Sequence, residues 1–470
     1  MKALTVIELA YKKDSSEYFE YFRHLPLASF IDSCAVDYNG NHSRYDVITA
    51  LPSDVITVRH DAVIVWEDCL NQTVKYKGKG KPFEVLSQLL TSIATIDDCR
   101  FPFTGGVLGY WSYELGTLLE PKLAPYDTPN EPPLMCVGLF RWALVTDHED
   151  KKTSLLFHPD IDSNTKKSIT QSLHICKKPL LNDFKLTKNF TATISFDQYQ
   201  YAFDRIQDYI LAGDCYQVNL TQQFTATYAG DNWQAYRRLR QVNPAPYAAY
   251  LAYPDVNILS LSPEKFIQVT EKKVETRPIK GTIARGRTPE EDEKNAKLLL
   301  DSEKDHAENL MIVDLLRNDL GKICETGSIQ VPQLCGLESY ANVHHLVSAV
   351  TGKLPDKLDV FQVMGAVFPG GSITGAPKIR AMEIIGKLEA SARSVYCGSI
   401  GYASCNGRMD SSITIRTMAA LGESLYCWGG GAIVADSSCR QEYEESLTKV
   451  KILMDALDQY SMASHARKST

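Results

Sequence analysis

The pattern that most restricts what this chain can fold into is a succession of short apolar or alternating runs divided by polar turns. Val55-Ile56-Thr57-Val58 and Ala62-Val63-Ile64-Val65-Trp66 are examples. Side chains alternate between faces along a strand, so such runs specify a sheet with at least one buried face, and the first third reads as strand-rich. Helical spacing enters later. Ser195 and Gln198 have the spacing of a capping box, Tyr199 to Leu211 is apolar at helical period, and Gly213 offers a stop. Longer helical patterns run over about residues 289–318 and 438–460, and a polar, Lys-rich stretch over residues 164–193 is the expected connection. No repeat at a fixed period is present. A chain of 470 residues, 44% hydrophobic and 23% charged, is ordinary globular protein. Length alone suggests about three domains.

Charge and cysteine usage narrow the function classes. Fifty Lys and Arg against 57 Asp and Glu leave a net charge of −7, which attracts neither nucleic acid nor an anionic membrane surface. An anionic small substrate then needs a local positive site. The 12 cysteines include no CxxC pair, and no apolar run has the length of a signal peptide or membrane span. A cytoplasmic protein with reduced thiols is expected.

Several segments could carry chemistry. Pro369-Gly370-Gly371-Ser372-Ile373-Thr374-Gly375-Ala376-Pro377-Lys378 precedes a helical pattern, so its amides could face an anion, although a tight turn explains it equally well. It is not a Walker A loop, because Ala376 rather than Lys follows Gly375. Gly429-Gly430-Gly431-Ala432 leaves room for a ligand or a plain turn. Glu308 shares a helical face with apolar Met311, Ile312 and Leu315, one turn after Asp305. Glu442 and Glu445 lie one turn apart beside another apolar stripe. A carboxylate aimed at apolar neighbours needs a cation, and paired glutamates with no His or Cys at ligand spacing suit Mg²⁺ better than zinc. Each pair alone is more often a solvated face. Lys280 and Glu264 sit near strand ends, where a partly desolvated lysine beside a carboxylate can act as nucleophile or base. His345 lies in an apolar run, as a core histidine or as an acid or base.

Together, Gly213 to Leu220, Leu261 to Glu264, Pro278 to Thr282, His306 to Asp314, the Pro369 to Lys378 loop, Met409-Asp410 and Arg416-Thr417 resemble the chorismate-utilising enzymes. The resemblance runs through nearly the whole chain. It implies a two-lobe α+β fold of packed, mostly antiparallel sheets flanked by helices, with an N-terminal lobe over 1–185 and a chorismate-binding catalytic domain over 186–470. It implies Mg²⁺ held by Glu308, Glu442 and Glu445, with Asp305 behind them, against the ring carboxylate of chorismate. Arg416, Tyr402, Thr374, Gly430, Gly431 and Ala432 match carboxylate-binding positions, and Lys449 is a weaker match.

Two positions discriminate within the family. Gln217 stands where water-activating branches carry a Lys base, as in the amine-forming enzymes. Lys280 stands where anthranilate-forming enzymes carry Ala, and resembles the nucleophilic lysine of the branch that makes 4-amino-4-deoxychorismate for 4-aminobenzoate and folate synthesis. The anthranilate-forming branch is the nearest alternative. In the implied mechanism Lys280 adds at C2, Glu264 protonates the leaving C4 hydroxyl, and Thr282 and His345 contact the ring or leaving group. No glutaminase-like cysteine nucleophile elbow is evident in the chain, and the resemblance implies a separate glutamine amidotransferase (glutaminase) subunit as the source of ammonia. Ser33, Ser43, Arg44, Tyr45, Pro246 and Tyr247 look like remnants of a tryptophan pocket. Ala432, Cys439 and His344 depart from the family pattern.

Overall fold

The computed structural model describes residues 3–34, 44–120, 122–123, 131–174, 183–340 and 343–468. Two 12-stranded sheets pack with helices around them, and their registered pairs are antiparallel. Each has 11 strands along its main path and one beside it, Gly375–Ala376 on Gln217–Ala229 in the first and Gln330–Ser339 on Val343–Lys353 in the second. The first runs Thr5–Leu9, Lys152–Phe157, Trp142–Asp147, Tyr45–Thr49, Ala28–Asp32, Tyr247–Ala252, Asn257–Ser262, Thr417–Leu421, Ser424–Ile433, Gln217–Ala229, Lys185–Ala192. The second runs Ile279–Ala284, Val343–Lys353, Lys273–Arg277, Lys265–Thr270, Met409–Ile413, Ser399–Ser404, Gly106–Trp111, Met135–Phe140, Asp54–Val58, Val63–Asp68, Thr73–Lys79. Each sheet therefore takes strands from both halves of the chain, and the expected division near residue 185 separates no sheet from the other.

Alternation along the strands assigns the two faces. Ala249 and Leu251 join Val107, Ile400 and Ile413 of the other sheet in one buried cluster. Ala248 and Tyr250, one residue out of step, enter a second cluster with Trp233 and Tyr236 of helix Asn232–Val242 and Val450 and Leu453 of helix Cys439–Lys468. Trp233 is wholly buried and packs its ring 4.8 Å from Phe19 and 5.5 Å from Tyr236. Removing a ring so enclosed costs about 3–5 kcal/mol.

The helix signals hold, with two differences. Ser195 and Gln198 form both bonds of a capping box on helix Phe196–Leu211, and Gly213 takes φ +79°. The pattern over residues 289–318 is two helices, Pro289–Leu300 and Glu303–Gly321, because Ser302 caps the second through the Asp305 N–H. The polar stretch after residue 164 is no bare connection. It contains helix Ser163–His174 and strand Lys185–Ala192, whose polarity suits the open edge of the first sheet.

Candidate active site

Strand Ile279–Ala284 ends the second sheet and presents Lys280. Its neighbour Val343–Lys353 brings His345 opposite Thr282, whose Oγ1 lies 2.8 Å from His345 Nδ1. Helix Glu303–Gly321 covers both strands, and glycine at 281 permits this. A Cβ there would lie 3.0 Å from Asp305 Cγ, at φ +81°. Lys280 is half-buried, and no described residue hydrogen-bonds or ion-pairs with its amine. Burial lowers its pKa, with Lys449 acting in the same direction and Glu308, Glu264 and Glu445 opposing. The amine is thereby easier to deprotonate than an ordinary lysine.

Glu264 follows strand Asn257–Ser262 and is buried. Burial pushes its carboxyl up to about 7, although Ser372 and Lys280 pull it down. Ser372 Oγ donates to Glu264 Oε1 at 2.6 Å from the short 3₁₀ turn Gly371–Ile373 of the glycine-rich loop. Such a carboxyl can hold a proton near neutral pH. His345 is also buried, and burial together with the Arg416 charge holds it down at about 3, so the ring is neutral. Arg416 itself adopts φ +50° between strands Met409–Ile413 and Thr417–Leu421.

Thr374 and Gln217 shape the loop. Thr374 is fully buried and donates its hydroxyl to Gly370 O at 2.7 Å, which commits it to the loop itself. Gln217 Nε2 donates to Asn219 Oδ1 at 3.2 Å, while its buried Oε1 has no partner among the described residues. Behind the loop stands Arg393, which sequence reasoning missed. It is buried, pairs with Glu389 at 2.7 Å, and donates to Ile373 O at 2.9 Å and Asn219 O at 2.8 Å. The spacing of Glu389 and Arg393, four residues apart, was its only signal; for Ser372 it was a place inside the loop.

The acidic residues gather beside the glycine strand. Gly429 lets helix Cys439–Lys468 approach strand Ser424–Ile433, since a Cβ there would lie 2.2 Å from Ser446 O. A Cβ on Gly431 would lie 3.0 Å from Glu442 Oε2, 3.8 Å from Glu445 Oε1 and 3.8 Å from Lys449 Nζ. Lys449 donates to Gly430 O at 3.0 Å and pairs with Glu445 at 2.7 Å. Burial raises Glu308 and Glu442. It acts to raise Glu445 too, but Lys449, Lys304 and Lys280 outweigh it and hold that carboxyl low. Among the described residues no three acidic, His or Cys groups have converged at coordination spacing. The donor chemistry nevertheless fits a hard cation. All three are carboxylates, and Lys304 already places one positive charge 3.9 Å from Glu308 and 3.8 Å from Glu442. Ala432 lies in extended strand, paired with Asn219.

A second cavity of about 420 Å³ lies elsewhere, lined by Arg44, Tyr45, Pro246 and Tyr247 together with Lys265, Arg277 and Asp410. Tyr402 belongs here and not with Lys280. It pairs in register with Asp410 and meets Phe103 edge-on, which corrects its assignment to the substrate carboxylate. Ser33 does not line this cavity either. Its hydroxyl donates to Asp46 at 2.6 Å, a structural tie. Ser43 lies outside the described residues.

These features find their match among known proteins. The model of chorismate binding enzyme fits residues 48–455. This chain belongs to the chorismate binding enzyme family. Aminodeoxychorismate synthase component 1 of Escherichia coli is 43% identical over 97% of this chain and 100% of its own length. The same-named protein of Bacillus subtilis is 37% identical over 81% of this chain and 83% of its own. Among solved structures of the family, anthranilate synthase component I from Streptococcus pneumoniae superposes with a TM-score of 0.77 at 31% identity, covering 89% of this chain and 94% of that one. The menaquinone-specific isochorismate synthase of Escherichia coli shares the fold, at TM-score 0.70 and 17% identity, covering 97% and 95%.

Proposed function

We propose that this family member is component 1 of an aminodeoxychorismate synthase, converting chorismate and ammonia to 4-amino-4-deoxychorismate. The observation that carries the reading is Lys280, an amine with a lowered pKa and no hydrogen-bond or ion-pair partner among the described residues, in a site that also holds Glu264, whose carboxyl is raised to about 7. The identity to relatives so named supports it.

The reaction replaces the C4 hydroxyl by an amine at the same position, which two successive displacements achieve. The neutral Lys280 amine forms a C–N bond at C2, the ring double bonds shift, and the C4–O bond breaks. Glu264 gives its proton to the departing oxygen, so water leaves. Ammonia then forms a bond at C4, the double bonds shift back, the C2–N bond to Lys280 breaks to return the neutral lysine, and the proton released from the new C4 ammonium restores Glu264. His345, neutral and tied to Thr282, can donate or accept a hydrogen bond at the ring without adding charge. Arg416 supplies a fixed positive charge suited to a carboxylate. Mg²⁺, held by Glu308, Glu442 and Glu445, would neutralise the ring carboxylate.

Ammonia delivery by a glutaminase subunit belongs to the same proposal, as does a cytoplasmic location. No described helix is long and apolar enough to cross a membrane. The second cavity, with Asp410 Oδ1 buried and unpartnered among described residues, has the size and mixed charge for an amino acid such as tryptophan.

The deciding experiment incubates the chain with chorismate, Mg²⁺ and ammonium salt, then adds aminodeoxychorismate lyase. Lyase-dependent 4-aminobenzoate is expected. Anthranilate fluorescence without the lyase would overturn the reading.

A further inference from the structure

The carboxylates assigned to the metal already face a cation of the protein's own. Lys304 lies in the first turn of helix Glu303–Gly321, four residues before Glu308 and on the same face. Its Nζ stands 3.9 Å from Glu308 Oε1 and 3.8 Å from Glu442 Oε1, so one ammonium spans two helices. Glu445 and Asp436 add to the negative field around it. The helix dipole does not favour a positive charge there, because the first turn is its positive end. The favourable field comes from carboxylates, Glu308 on the same helix and Glu442 across the gap.

The manner of contact sets Lys304 apart from Lys449. Lys449 is fixed by a 2.7 Å pair with Glu445 and a hydrogen bond to Gly430 O. Both Lys304 contacts exceed hydrogen-bond length, and Lys304 makes no hydrogen bond among the described residues. It is a charge held between two acids and committed to neither, on a half-exposed stem free to swing into solvent. Resting on the assignment of Glu308, Glu442 and Glu445 to the metal, we infer that Lys304 is a built-in counter-ion, standing in the cation position and leaving it when a divalent ion enters. Lys304 then keeps buried acids from repelling one another in the ion-free protein, and its displacement weakens metal affinity.

The test uses the full chain without ammonia, with free Mn²⁺ followed by electron paramagnetic resonance. Lys304→Gln is expected to bind Mn²⁺ roughly two- to thirty-fold more tightly than the parent, the span that two partly exposed ion pairs impose. Lys304→Arg should stay near the parent. Lys322→Gln, which makes the same change in net charge at the far end of the helix, should shift affinity far less. In the parent, acetylation of Lys304 by acetic anhydride, read by mass spectrometry, should quicken when Mg²⁺ is added. Equal saturable affinity in parent and Lys304→Gln, or unchanged labelling, would overturn the inference and leave the metal assignment standing. No saturable binding in either protein would overturn both.

Discussion

Two lysines in one sheet, with two strands between them, have opposite fates. Lys265 is buried in the second cavity and fully engaged, donating to Gln268 at 2.8 Å and pairing with Glu275 at 2.9 Å. Lys280 has no such partner among the described residues, and burial lowers its pKa. Glu264, the residue before Lys265, is felt by Lys280 and has its carboxyl raised to about 7 by burial. The difference teaches what separates a binding charge from a reacting one. A lysine held by two side-chain acceptors is committed to its place; one held by none in a partly dry site loses its proton more readily.

The sharpest way to break this comparison is Lys280→Ala. It should slow lyase-coupled 4-aminobenzoate formation at least ~10³-fold, as loss of a nucleophile does, while chorismate still binds. An undiminished rate would make the two lysines equivalent. Next is the buried pair behind the glycine-rich loop. Arg393→Met leaves Glu389 buried without its partner and should cost about 3–5 kcal/mol, measured as a shift in the urea midpoint. Glu264→Gln should lower kcat about 10²-fold. Glu264 must be protonated to act, so kcat of the parent should fall as pH rises through about 7, and this limb should vanish in the variant. The smallest effect belongs to Lys265→Met. Because its cavity touches no reacting group, turnover with ammonia should stay within about twofold, although stability falls by about 1–3 kcal/mol.

Chemistry was more legible in the sequence than its placement. Lys280, Glu264, Thr282, His345 and the three glutamates stand in dense local motifs, and the fold brings them together around Gly281 and Gly431. Tyr402 shows the limit. A strand turns alternate residues to opposite faces, and Tyr402 faces the second cavity. Ser33 was misread because its partner, Asp46, lies 13 residues on in a paired strand. Arg393 and Lys304 carried no motif at all. Their roles exist only where distant segments meet, Ile373 and Asn219 for the first, Glu442 for the second.

The interleaving of the two sheets bears on how the protein emerges from the ribosome. Ala28–Asp32 hydrogen-bonds to Tyr247–Ala252, and Gly106–Trp111 to Ser399–Ser404. At ordinary rates of synthesis the Gly106–Trp111 strand waits roughly 15–60 s for its partner, with an open edge able to pair with other chains. That edge of the Gly106–Trp111 strand is closed only once Ser399–Ser404 has been made.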